Sequence, residues 1–304
     1  MDKRMKVLVT GGSGFIGRAL VQNLIGEGHG VTVLTRSATR TSRHLGTPVQ
    51  LIERLDQISP SQRIDAIVNL AGAAIVDRRW SKARKQLLRD SRLDTTGALL
   101  GLIERLERRP EVLVSGSAVG YYGSQDNDRV LTEEADDFRP GFPHQLCADW
   151  EGGALRAEAL GVRVCLVRTG LVLGKGGALR KMLPAFRLGL GGPIGSGQQW
   201  MSWVSLQDEV GIIRYLMGQH TLRGPFNACA PDAVTNARFS QALGRALRRP
   251  ARLRMPAMVL ELLLGEASEL LLSGQRVYPK RLLDAGYRFK QPDLDQALRV
   301  ALAV

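Results

Sequence analysis

The stretch from Lys6 to Gly17, KVLVTGGSGFIG, leaves this chain few ways to fold. Val7 to Val9 form an apolar run short enough for a buried parallel strand, and glycines 11, 12, 14 and 17 follow with no spacer. Ile16, Leu20 and Leu24 then recur every fourth residue, the period of one helix face. Strand, glycine turn and helix in that order are the context a dinucleotide fingerprint requires. Gly11 permits the tight turn, Gly14 admits a pyrophosphate with no Cβ in the way, and Gly17 lets helix and strand pack closely. The helix N-terminus, with its free N–H groups and positive dipole end, would receive the pyrophosphate. Gly11, Gly12, Ser13, Gly14, Phe15, Ile16 and Gly17 are therefore the first candidate cofactor contacts.

The spacing is G-x-x-G-x-x-G, and with Thr10 before it and Phe15-Ile16 inside it the turn resembles that of the extended short-chain dehydrogenase/reductases. At 304 residues, 44% hydrophobic and 23% charged, the chain suits one α/β domain with an added lobe. The start, Met1-Asp2-Lys3-Arg4, leads into a strand and not into a secretory leader, and the apolar stretch from Pro256 to Leu264 is too short to span a bilayer. Cys147, Cys165 and Cys229 match neither a disulfide framework nor a zinc pattern, four scattered histidines show no ligand spacing, and a reducing cytoplasm is the expected setting, with no metal and no membrane partner. The formal charge of +13 is spread along helices that also carry apolar faces, and no nucleic-acid motif accompanies it.

After the second strand, Val31 to Thr35, the fingerprint calls for an acidic residue to bind the ribose 2′-hydroxyl. The chain reads Thr35-Arg36-Ser37 instead. A guanidinium there pairs with a 2′-phosphate, which predicts NADP over NAD. The strand from Ala66 to Leu70 ends in Asn69-Leu70-Ala71-Gly72, matching the Asn-Ala-Gly element of the resembling superfamily and placing Leu70, Ala71 and Gly72 over the adenosine side of the cofactor. Ser81 caps a long helix in which Ser91 to Gly97 corresponds to the superfamily's helix beneath the cofactor. Its Arg92 has two readings, a contact to a phosphate or the nicotinamide ribose, or a structural arginine paired with a carboxylate.

The strand from Val112 ends in Ser115-Gly116-Ser117-Ala118-Val119-Gly120-Tyr121-Tyr122-Gly123, which resembles the Ser-Ser-x-x-x-Tyr-Gly segment and gives Ser117 the substrate-orienting place. The resemblance then calls for Tyr-x-x-x-Lys, the pair that exchanges a proton with the substrate during hydride transfer. Counting back from Glu151, those positions hold Pro143 and Cys147. Tyr121, Tyr122 and His144 are the available proton donors; Tyr122 is favoured, and Cys147 reads as apolar filler. Val172, after the strand Val162 to Arg168, is a candidate nicotinamide contact, and the glycine-rich stretches 174–177 and 188–197 read either as cleft lining or as flexible connections.

Arg79-Trp80, Ser91-Arg92, Gly120 to Gly123, Gly189 to Gly197 and the C-terminal tail together resemble one branch, the atypical "epimerase family" proteins that carry a C-terminal domain of unknown function and lack Tyr-x-x-x-Lys. The resemblance implies a Rossmann doubly wound parallel sheet over residues 1–172, with 203–230 returning to it, and a smaller, mostly helical substrate lobe from 173–202 and 231–304. It implies NADP(H) as cofactor, a homodimer as in the superfamily, and an oxidoreductase or epimerase-like activity on a small polar metabolite such as a nucleotide sugar. A cofactor-binding sensor or scaffold without chemistry is the alternative.

Overall fold

The computed structural model describes residues 4–45, 49–125 and 127–302; the opening Met1-Asp2-Lys3 lies outside them. Seven strands form one sheet: β1 (Lys6–Thr10), β2 (Gly30–Leu34), β3 (Gln50–Ile52), β4 (Ala66–Asn69), β5 (Val112–Ala118), β6 (Arg163–Thr169) and β7 (Gly224–Ala228). Every neighbouring pair is parallel, and the spatial order is β7-β6-β5-β4-β1-β2-β3. The order reverses at β1, where β1 is flanked by β2 and β4, so the carboxyl ends of β1 and β4 border the crevice in which such sheets bind ligands.

The central strands β1, β4, β5 and β6 are buried on both faces, as their apolar runs require, while β2 and β3 toward the edge are buried only in part. Val7 and Val9 point to one side, where helix α1 (Phe15–Gly26) packs through Val21 and Leu24 and helix α6 (Leu206–Gly218) through Ile213 and Leu216. Leu8, Ile67 and Leu113 point to the other, against Leu99, Leu102 and Ile103 of α3 (Lys82–Arg105) and Ala154 of α4 (Phe142–Leu155). Ser81 caps α3 by accepting from the Arg84 N–H, as its sequence position predicts. Helix α2 (Ala38–Leu45) follows the second strand.

The second lobe has its own core. Helices α5 (Gly177–Arg187) and α7 (Asn236–Leu247) and the last helix, 294–302, bring together Leu179, Phe186, Phe239, Leu243, Leu294 and Leu298 around Trp203. Short strand pairs supplement the main sheet, 171–173 with 203–205 and 200–201 with 234–235, and a third, 130–131 with 276–277, ties the C-terminal segment to the first lobe. Buried Asp208 adds a further tie, accepting from the N–H groups of Lys290 at 2.7 Å and Gln291 at 3.0 Å. Helix α8 (Ala257–Leu264) departs from this packing: none of its residues is buried, and Leu264 alone leans on the cluster of Trp80 and Leu88.

Candidate functional site

At the end of β1 the chain turns with Gly11 at φ +68°, where a Cβ would lie 2.5 Å from the Leu70 carbonyl oxygen. A Cβ on Gly17 would collide with the Gly11 carbonyl, so neither position admits a side chain without moving backbone. Gly14 is the N-cap of α1 and offers no side-chain hydrogen bond, which leaves the first-turn N–H groups open for an anion. Ser13 and Gly14 are exposed at the crest. The Phe15 ring turns inward instead: Cβ atoms on Gly174, Gly176 and Gly177 would meet it at 2.8, 2.6 and 3.0 Å. The first glycine-rich stretch is thus seated on the turn through Phe15. The second is packed too, Gly191 against Phe186 and Gly192 against the Leu253 backbone, so neither is a loose connection.

The floor of the crevice is pinned by a buried chain of hydroxyls and amides. Thr10 Oγ1 donates to Asn69 Oδ1 at 2.7 Å, and Asn69 Nδ2 donates to Thr96 Oγ1 of α3 at 3.0 Å. Thr10 Oγ1 also accepts from the Ala71 N–H at 3.2 Å, which fixes Leu70, Ala71 and Gly72 beside the turn. Arg92 reaches the same place from α3. Its guanidinium lies where a Gly72 Cβ would be 2.9 Å away, donates to the carbonyls of Ala73 and Leu88, and sits over the Trp150 ring. Of the two readings of Arg92, a carboxylate partner is not what holds it: backbone oxygens do. Arg36 is exposed beyond the end of β2 and has no protein partner among the described residues. Val172 is 9% exposed in the short strand 171–173.

The chamber at the end of β5 is built differently. Ser117 Oγ donates to Glu151 Oε1 at 2.6 Å, and Arg168 clamps the same carboxylate with Nε to Oε1 and Nη2 to Oε2, both at 2.9 Å. Burial works against the Arg168 charge, but the hydrogen bonds and the charge of Glu151 outweigh it and raise its pKa. Arg168 Nη1 donates to the Tyr122 hydroxyl at 3.1 Å, and that hydroxyl donates onward to Asn227 Oδ1 at 2.8 Å. The Tyr122 side chain is fully buried, and desolvation pushes its phenol up to about 12.

Tyr122, the favoured proton donor from sequence, is therefore placed as a structural strut, its hydroxyl spent within the protein. Tyr121 is the contrasting neighbour. It is half-buried, its ring lies 3.5 Å from the Arg168 guanidinium carbon, and its hydroxyl has no protein partner among the described residues. His144, stacked on Phe138 at 4.4 Å, borders the same ring. Cys147 occupies the lysine position against Ser117 and is buried, and desolvation, then the Glu151 charge, push its thiol up to about 12. It stays a thiol, as the filler reading requires. Gly116 admits Trp150, which a Cβ would meet at 2.9 Å.

Glu151 and Arg168 carry this chamber, and sequence reading treated them only as a motif end and a strand end. A signal was present: Glu151 lies among apolar and small residues in WEGGAL, Arg168 follows the apolar run VCLV, and two such charges of opposite sign point to a buried pair.

The class follows from strand order and turn together: this is a dinucleotide-binding Rossmann protein of the extended short-chain dehydrogenase/reductase type. More narrowly, the chain belongs to the NAD dependent epimerase/dehydratase family, whose model matches residues 7–229, while a domain of unknown function, DUF1731, matches residues 255–301. Epimerase family protein MT2273 of Mycobacterium tuberculosis is 43% identical over 297 residues, covering 97% of each chain. Human epimerase family protein SDR39U1 is 38% identical over 309 residues, covering 98% of this chain and all of its own. A crystal structure of human SDR39U1 (isoform 2) with NADPH superposes with a TM-score of 0.89 at 37% identity, covering 98% of this chain and 99% of that one. UDP-glucose 4-epimerase of Thermotoga maritima, at 17% identity and a TM-score of 0.78 over 98% and 97% of the two chains, shares the fold. The branch inferred from sequence and its C-terminal domain are both found in these matches.

Proposed function

We propose that this chain binds NADPH in the turn after β1 and acts as an NADP(H)-dependent oxidoreductase or epimerase-like enzyme on a small polar metabolite, nucleotide sugars being the first class to test. The residues fit the cofactor: Gly11 and Gly17 keep the turn clear, the uncapped N-terminus of α1 receives the pyrophosphate, Leu70, Ala71 and Gly72 border the adenosine, and exposed Arg36 meets the 2′-phosphate. When bound, the nicotinamide supplies or accepts hydride. Arg92 and Val172 border the nicotinamide half.

The observation that carries the catalytic reading is the Tyr121 hydroxyl, unpartnered among the described residues while the Ser117 and Tyr122 hydroxyls beside it are engaged. The hydrogen of Ser117 is committed to Glu151, so Ser117 offers a substrate hydroxyl its lone pairs and orients it. Tyr121 exchanges the proton, with Arg168 behind its ring in place of the missing lysine. A panel of carbonyl compounds and nucleotide sugars, assayed with NADPH and NADP⁺, tests this. Tyr121→Phe should abolish turnover and leave the NADPH dissociation constant unchanged. Equal turnover by Tyr121→Phe would remove Tyr121 from the chemistry.

The inert thiol at the lysine position favours a second reading, a cofactor-binding sensor or scaffold that performs no reaction. NADPH binding with no turnover across the panel, together with an NADPH-dependent change in a protein partner, would select it.

A further inference from the structure

The segment from Arg248 to Leu264, RRPARLRMPAMVLELLL, places four arginines directly before an apolar run interrupted only by Glu261. The fold holds this segment mainly by its backbone and its C-terminal end, where Arg79 donates to the carbonyls of Leu262 and Leu263 and Leu264 packs beside Trp80 and Leu88. Arg248, Arg249, Arg252 and Arg254 are exposed and have no acceptor among the described residues. Three of them, with Arg245, line a shallow hollow of about 510 Å³ at the end of α7. Arg248 even holds a left-handed φ of +54°, where glycine is the usual helix terminator. On α8, Met258, Val259, Leu262 and Leu263 form one exposed strip, with Met258 77% and Leu262 73% open. The loop after α5 extends this surface: Ile194 bridges to Met255, Gly189 abuts Pro250, and Leu188 and Leu190 are exposed.

An apolar strip beside unpaired arginines needs an occupant that is apolar in depth and anionic at its edge. A second copy meets this requirement poorly, since the segment 248–264 carries four arginines against the single carboxylate of Glu261, in a molecule of formal charge +13. We infer that α8 and its arginines form a docking surface for an anionic lipid bilayer. Met258, Leu262 and their neighbours enter the acyl boundary, and the arginines at the end of α7 hold the headgroup phosphates. No helix among the described residues is long and apolar enough to cross a membrane. The sequence-based expectation of no membrane partner rested on spanning length, and lying on a surface is a separate physical requirement.

Co-sedimentation of the full chain with vesicles of phosphatidylcholine, alone and mixed with phosphatidylglycerol, tests this. Binding is expected only to the mixed vesicles, weakening as salt is raised. The triple variant Arg248→Glu/Arg249→Glu/Arg252→Glu should lose about a hundredfold in affinity, from roughly fivefold per arginine. Met258→Glu/Leu262→Glu should lose binding at unchanged thermal midpoint, because both side chains are exposed already. Absence of binding to mixed vesicles, equal binding to phosphatidylcholine alone, or wild-type binding by either variant would overturn the inference. A concentration-dependent dimer dispersed by Met258→Glu/Leu262→Glu would likewise overturn it and assign the face to a second copy.

Discussion

The turn after β1 presents backbone, whereas the chamber at the end of β5 presents side chains already bonded to one another. In the turn, Gly11, Gly14 and Gly17 fall within seven residues of sequence, and Gly11 and Gly17 each exclude a side chain for a reason visible within a few ångströms. In the chamber, Ser117, Glu151, Arg168 and Asn227 come from four elements and meet through hydrogen bonds spanning 17 to 105 residues. Backbone recognition leaves a local signature in sequence; a side-chain network leaves one only in the fold. The turn can accept a ligand without giving up an internal bond. The chamber can accept one only through the groups its network leaves over.

The sharpest break in this contrast is Arg168→Met. Its side chain is 4% exposed and that of Glu151 6%, so the variant strands a buried carboxylate. A loss of about 3–5 kcal/mol is expected, read as a large drop in Tm, with NADPH affinity retained where the fold persists. Gly17→Ala should divide the two regions the other way. The added Cβ meets the Gly11 carbonyl, so the turn must open at a cost of about 1–3 kcal/mol, and cofactor affinity should fall by roughly ten- to a hundredfold while the Ser117–Glu151 bond is untouched. If NADPH binding survived in Gly17→Ala and failed in a folded Arg168→Met, the assignment of the two regions would be reversed.

Glu209 gives a smaller, pH-dependent test next to the chamber. It is fully buried, Thr169 donates to its Oε1 at 2.8 Å, its Oε2 has no partner, and desolvation raises its carboxyl to about 8. The folded chain thus holds a proton that the unfolded chain releases near pH 4–5, at about 4.3 for an unperturbed glutamate. Folding therefore binds more protons than unfolding between these values, and stability falls as pH rises through this window to about 8. Glu209→Gln should flatten that decline, with a higher Tm than the parent above pH 8. Parallel pH profiles for the two proteins would show that Glu209 is not protonated in the native state.

Much of the architecture was legible because period and punctuation are local. The apolar run Val7 to Val9, the glycine turn and the Ser81 cap each specify their element within a few residues. The fingerprint end at Asn69 was legible for the same reason, although its bond to Thr96 was not. Tyr121 and Tyr122 show where local reading stops. They are adjacent, identical in type and near Ser117 in the chain, and only partners brought in by the fold, among them Arg168 at 46 and Asn227 at 105 residues' distance, decide that Tyr122 is the bonded one. Helix α8 shows another limit. Its apolar sequence is of the kind cores are made of, yet none of its residues is buried and only Leu264 packs on a core cluster.

The central claim, that the turn and Arg36 together form an NADPH site, is tested most directly by fluorescence titration of the purified chain with NADPH and NADH, repeated on Arg36→Ala. The account predicts tighter binding of NADPH than of NADH by the parent. In the variant, NADPH affinity should fall toward that of NADH, a loss of roughly tenfold or more for a charge-assisted contact of about 1.5–3 kcal/mol, and NADH should be unaffected. Equal affinity of the parent for the two nucleotides, or NADPH binding indifferent to Arg36→Ala, would contradict it.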